Sequence, residues 1–169
     1  MNPDENQYLC GPKLFTIDLL NQLHALLRWV VLILIVSATL RAFIGMQGKK
    51  GFTSSDQKTG LFLMIACDLQ LLIGLILYVA GPWGIKNIQQ LGMSAVMKDG
   101  YSRFFAVEHI LMMVVAIVLV HLGRSKAKKW GEASGAHKVS FIYYVIAFII
   151  MMISIPWPFR TGFEALGWM

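Results

Sequence analysis

The chemistry of this chain begins with ionisable residues set inside long apolar blocks, where a charge costs at least a few kcal/mol and usually marks a site. Asn21, Gln22, His24 and Arg28 interrupt the first block, Asp68 and Gln70 the second, and Glu108, His109 and His121 the third; the fourth carries almost none. His24 lies six residues past Asp18, and His109 six residues past Arg103. At about 1.5 Å rise per residue, both imidazoles are expected about 9 Å below the same membrane boundary. Two histidines at one depth on helices running in the same direction can ligate one iron from opposite sides. Neutral imidazole suits a low-dielectric interior because it brings no charge to bury. The expected centre is one haem, held by His24 and His109 in the core of a four-helix bundle. The bland alternative for either histidine is an interhelical hydrogen-bonding strut.

Neighbouring residues extend this expectation. Asn21, His24 and Arg28 follow helical spacing and share one stripe. Ala106 and Ala116 flank the His109 face with Met112 and Met113 between them, leaving room for a flat macrocycle or for close helix packing. The two methionines read as core filler, with a thioether as a substitute axial ligand. Arg103 and Arg160, at the ends of the third and fourth blocks, are candidate partners for haem propionates. His121 and His137 do not match in depth, so a second haem is not expected. Arg28, Asp68 and Glu108 form a second constellation, with Gln70 and Tyr78 beside it. An Arg28–Asp68 pair, with Glu108 also within reach of Arg28, spares each charge an unpaired burial. Such a group serves either as a structural ion pair or as a proton path or quinone-head site.

The elements that must position these residues are transmembrane helices. Of 169 residues, 57% are hydrophobic and 14% charged, and the apolar residues come in blocks near the ~20 that a bilayer requires. The expected fold is an all-α integral membrane four-helix bundle. Its spans cover about 18–44, 58–80, 103–123 and 139–155, within one domain at 18–160 between tails at 1–17 and 161–169. Ser55 or Asp56 is the expected cap of the second helix, and Gly81-Pro82 its stop. The fourth helix is expected to be a packing wall, and residues 85–102 a long loop with an amphipathic stretch around 85–97.

Basic residues cluster at 46–58 and 124–138, which places those loops in the cytoplasm and both termini outside a bacterial inner membrane. Trp83, Trp157 and Trp168 then mark the outer interface and Trp130 the inner one. The net charge of +6 is thereby explained by orientation, and no basic stripe interleaved with aromatics points to nucleic acid. Cys10 and Cys67 are not expected to pair, and the polar stretch before Cys10 lacks the features of a cleaved leader.

His24-Ala25-Leu26-Leu27-Arg28-Trp29, LQLLIGLILY at 69–78, RFFAVEHILMM at 103–113 and SIPWPFR at 154–160 resemble a family of small bacterial four-helix inner-membrane proteins catalogued as "cytochrome B". The likeness covers nearly the whole chain after residue 18. It implies haem b, with His24 and His109 as the matching histidines. The function this implies is electron transfer between quinol, or an outer-side redox partner, and a larger respiratory-type complex, as a subunit rather than a self-contained enzyme. The competing readings are a haem-free accessory subunit of a membrane complex and a small proton channel or transporter. The latter is disfavoured by the lack of repeats and broken helices.

Overall fold

The computed structural model describes residues 12–131, 133 and 135–164. Cys10, Trp168 and the acids Asp4 and Glu5 lie outside them. The helices are α1 (Pro12–Gln47), α2 (Ser54–Ala80), α3 (Ile85–Leu91), α4 (Met93–Lys98), α5 (Gly100–Arg103), α6 (His109–Trp130) and α7 (Gly135–Ser154), and a π-helical turn at Phe104–Glu108 joins α5 to α6. The fold is all-α, as composition dictates. Four helical stretches, beginning at Thr16, Ser54, Gly100 and Gly135, are long and apolar enough to cross a membrane.

α1 packs on α2, α2 on α6, α6 on α7 and α7 on α1. This is an up-down-up-down ring in which α1 and α6 run in the same direction on the diagonal. The core between them is built from Val31, Ile35, Ala38, Leu63, Cys67, Ala116, Val120, Tyr144, Ala147 and Met151. Leucine and isoleucine cover much of the outside: Leu26, Ile33, Leu72, Leu111 and Ile153 are all more than half exposed. Water does not stabilise such a surface, whereas lipid does.

The helices run further than the apolar blocks at the basic end. The expected loop at 124–138 is helical through Trp130, because Lys and Ala are good helix formers and Lys128 and Lys129 in the last turn favour the negative end of the helix dipole. The cap of α2 is Thr53, two positions before Ser55, and Asp56 completes a reciprocal capping box from the third helical position. Asp56 is also bound by Arg41 at 2.9 Å, which ties α1 to α2. The stop at Gly81-Pro82 stands as expected. Residues 85–103 form three short helices rather than a single amphipathic stretch.

At the basic end, the ring of His137 (2% exposed) packs edge-on against Phe52 at 5.0 Å and contacts the Gly51 carbonyl at 3.3 Å. A Cβ at Gly45 would overlap three atoms of that ring. Gly45→Ala is therefore expected to cost about 1–3 kcal/mol as an overpacking change, read as a lower melting temperature in detergent.

Candidate functional site

His24, over three turns into α1, and His109, at the start of α6, meet across the bundle diagonal with ring centroids 6.4 Å apart and planes at 68°. The separation can be compared with a ligand requirement. A metal–imidazole bond of about 2.0–2.1 Å, plus about 1.1 Å from nitrogen to ring centre, puts two trans imidazoles on one iron about 6.2–6.4 Å apart, centre to centre. The observed spacing fits that requirement.

His109 is oriented by α7. Its Nδ1 lies 2.7 Å from the Ser154 carbonyl oxygen. A carbonyl only accepts, so Nδ1 carries the proton and Nε2 is left as the lone-pair nitrogen. The acceptor is available because of local sequence. In a continuing helix the Met152 and Ser154 carbonyls would receive N–H groups from residues 156 and 158, but both are prolines and have none. Side chains take over: Trp157 Nε1 donates to Met152 at 2.9 Å, Arg160 Nη1 to Ile153 at 3.1 Å and His109 to Ser154. The fourth spanning helix is thus more than a packing wall. Its frayed end sets the tautomer of a histidine on another helix.

His109 is also placed by the π-turn before it. Its N–H donates to the Phe104 carbonyl five residues back, and turns of this kind recur at functional sites. Tyr78 stabilises the turn from α2, its hydroxyl donating to the Ala106 carbonyl at 3.0 Å. Phe104 (2% exposed) and Phe163 (6%) pack at 4.7 Å beside it, with Phe105 and Tyr101 outside them. This aromatic cover shields the His109 side from water.

His24 is held differently. Gln70 Nε2 donates to the His24 backbone carbonyl at 2.9 Å, fixing α1 against α2. The His24 ring lies against Gly74, where a Cβ would come within 3.1 Å of Cε1. Its Nδ1 is buried and has no hydrogen-bond partner among the described residues. The ring thus carries an unsatisfied nitrogen on the side where glycine keeps the cradle open. Arg28 lies one turn further in, its guanidinium 5.3 Å from the Trp29 ring and 5.9 Å from Trp157. Asn21, on the same expected stripe, is exposed.

Several expected contacts are replaced by others. Asp68 does not pair with Arg28. It contacts His121 Nε2 at 3.2 Å, and both side chains are more than 40% exposed. The levels of Arg28 and Asp68 agree, since Gln70 reaches His24, but the faces do not. Two residues turn a helix by about 200°, so Asp68 looks toward α6 while Gln70 looks toward α1. His121 Nδ1 donates to the Ile117 carbonyl at 2.9 Å. Glu108 is bound by Arg103 Nε at 2.7 Å rather than by Arg28, and Arg103 also donates to the Met97 carbonyl at 2.9 Å. Arg160 lies over Phe104 at 5.0 Å and Phe163 at 5.4 Å. It stands near the histidine pair, whereas Arg103 is engaged at the surface. Met113 packs on the core cluster and Met112 is half-buried. His121 and His137 are not brought together.

Among the described residues, no three or more His, Cys, Asp or Glu form an ion-binding cluster, so the histidine pair stands by itself. The chain matches no family model, no curated protein and no solved structure.

Proposed function

We propose that this chain is a bacterial inner-membrane haem b protein that relays electrons between quinol, or an outer-side redox partner, and a larger respiratory-type complex. In this reading, loops 46–57 and 124–138 face the cytoplasm. The observation that carries the proposal is the His24–His109 pair: 6.4 Å between ring centres, with the Nδ1–H of one ring anchored on the Ser154 carbonyl. An anchored Nδ1–H with Nε2 left over is the usual arrangement of a ligating histidine.

The residues that would hold the group are His24 and His109, with Arg28 and Arg160 supplying positive charge nearby. Held by two imidazoles, such a group would supply one-electron transfer. The remaining work falls to the chain itself. Ser154 and the π-turn orient His109, Gln70 and Gly74 seat His24, and Phe104 and Phe163 keep water away.

A reduced-minus-oxidised absorption spectrum of protein purified from haem-replete cells tests the proposal. A b-type band is expected, and its absence would overturn the haem assignment. The second reading is a haem-free accessory subunit of a membrane complex. It is favoured by the Asp68–His121 pair, because intramembrane ionisable groups generally face protein or a water-filled cavity rather than lipid. The same spectrum, taken together with the partners that co-purify, separates the two.

A further inference from the structure

We propose that the cleft at the basic end of the bundle, where α2, α6 and α7 converge, binds the phosphodiester of an anionic phospholipid. The inference rests on the membrane-spanning fold and not on the haem reading.

The cleft encloses about 260 Å³ counting its open mouth, and its walls include Phe52, Asp56, Gly60, Arg124, Lys128 and Tyr144. A second cleft of about 210 Å³ adjoins it through Phe52, Asp56 and Tyr144 and reaches Arg41 and His137. The one acid in these walls is already engaged. Asp56 accepts from Arg41 Nε at 3.0 Å, from the Thr53 hydroxyl at 2.6 Å and from the Thr53 backbone N–H at 2.9 Å. Arg124 and Lys128 therefore face the cleft with no described carboxylate to neutralise them.

One buried donor at this end is unsatisfied, Arg124 Nε. A buried donor without a partner costs about 1–3 kcal/mol, and phosphate oxygens are natural acceptors for a guanidinium fork. The Tyr144 hydroxyl adds a second donor. It reaches the cleft wall because residue 60 is glycine, where a Cβ would stand 2.8 Å from it.

The level of the cleft decides between lipid and soluble phosphate. Asp56 lies in the first turn of α2, and Arg124 directly follows the apolar run that ends at Gly123. The cleft thus sits where the spanning helices leave the hydrocarbon region. Within three turns further in, Ile65 on α2 and Val118 and Leu122 on α6 are exposed, giving acyl chains an apolar track. A basic pocket between spanning helices at headgroup level is a recurrent lipid site.

The test uses the full chain in a neutral detergent, with phosphatidylglycerol, phosphatidylcholine and inorganic phosphate as separate probes. Phosphatidylglycerol is expected to raise the melting temperature and to remain bound in native mass spectrometry, while phosphatidylcholine does neither. Lys128→Gln, and Arg124→Gln where it folds by circular dichroism, should each weaken phosphatidylglycerol binding about tenfold, the effect of one charge-assisted hydrogen bond. Lys49→Gln/Lys50→Gln, at the same end but outside the cleft walls, should bind as the parent does. Equal losses in Lys128→Gln and in the Lys49/Lys50 variant would mean diffuse surface attraction and overturn the site. Stabilisation by inorganic phosphate equal to that by phosphatidylglycerol would overturn the lipid assignment.

Discussion

His109→Ala is expected to abolish the low-spin b-type spectrum while leaving the helical circular dichroism intact. The substitution removes an axial nitrogen, and it also leaves the Ser154 carbonyl without its donor at the end of α7. A buried acceptor that loses its partner costs about 1–3 kcal/mol, so the melting temperature should fall modestly even in haem-free protein. His24→Ala should abolish the same spectrum with a smaller penalty to the haem-free fold, since His24 Nδ1 has no partner to lose. The asymmetry separates a ligand role from a structural one. If either variant keeps an unchanged haem spectrum, that residue is not a ligand. If both variants unfold equally in haem-free protein, the pair is a structural strut.

The spanning helices were legible because hydropathy over about 20 residues is a strong signal, set by the thickness of hydrocarbon. The meeting of His24 and His109 followed from rise per residue, since Asp18 and Arg103 mark comparable levels. Faces were harder to obtain. The π-turn at Phe104–Glu108 changes the rotational register of everything before His109 on that helix, and no local pattern in Phe104-Phe105-Ala106 announces it. Asp68 shows the same difficulty: its direction depended on which neighbour α2 turned toward. One signal was present and unused. Pro156 and Pro158 remove the N–H groups that the Met152 and Ser154 carbonyls would otherwise receive. Two acceptors at that depth implied donors from elsewhere, and His109 is one of them. The density of charge at the basic ends points to loops, whereas lysine and alanine extend a helix into water readily.

Gly74→Val tests the site without touching a ligand. The backbone at residue 74 belongs to the regular helix α2, so valine meets no conformational barrier there beyond its modest helix propensity. Its side chain does meet one. A Cβ alone would stand 3.1 Å from His24 Cε1 and 3.7 Å from Nδ1, and two γ-methyls beyond it must displace the ring. The ring cannot move far without losing its placement opposite His109, because Gln70 holds the His24 backbone in place. Haem affinity should therefore fall by about 10–100-fold, the range for disturbing the shell around a metal ligand. Gly74→Ala should fall between parent and valine, since one methyl asks the ring to shift only slightly. Gly45→Ala is the control at the opposite end. It presses on His137 and should lower stability while leaving the haem spectrum as it was. Haem titration of the three variants reads the ordering directly. Binding by Gly74→Val as tight as in the parent protein would mean that the His24 ring does not need the position in which Gly74 admits it, and that His24 is not the ligand.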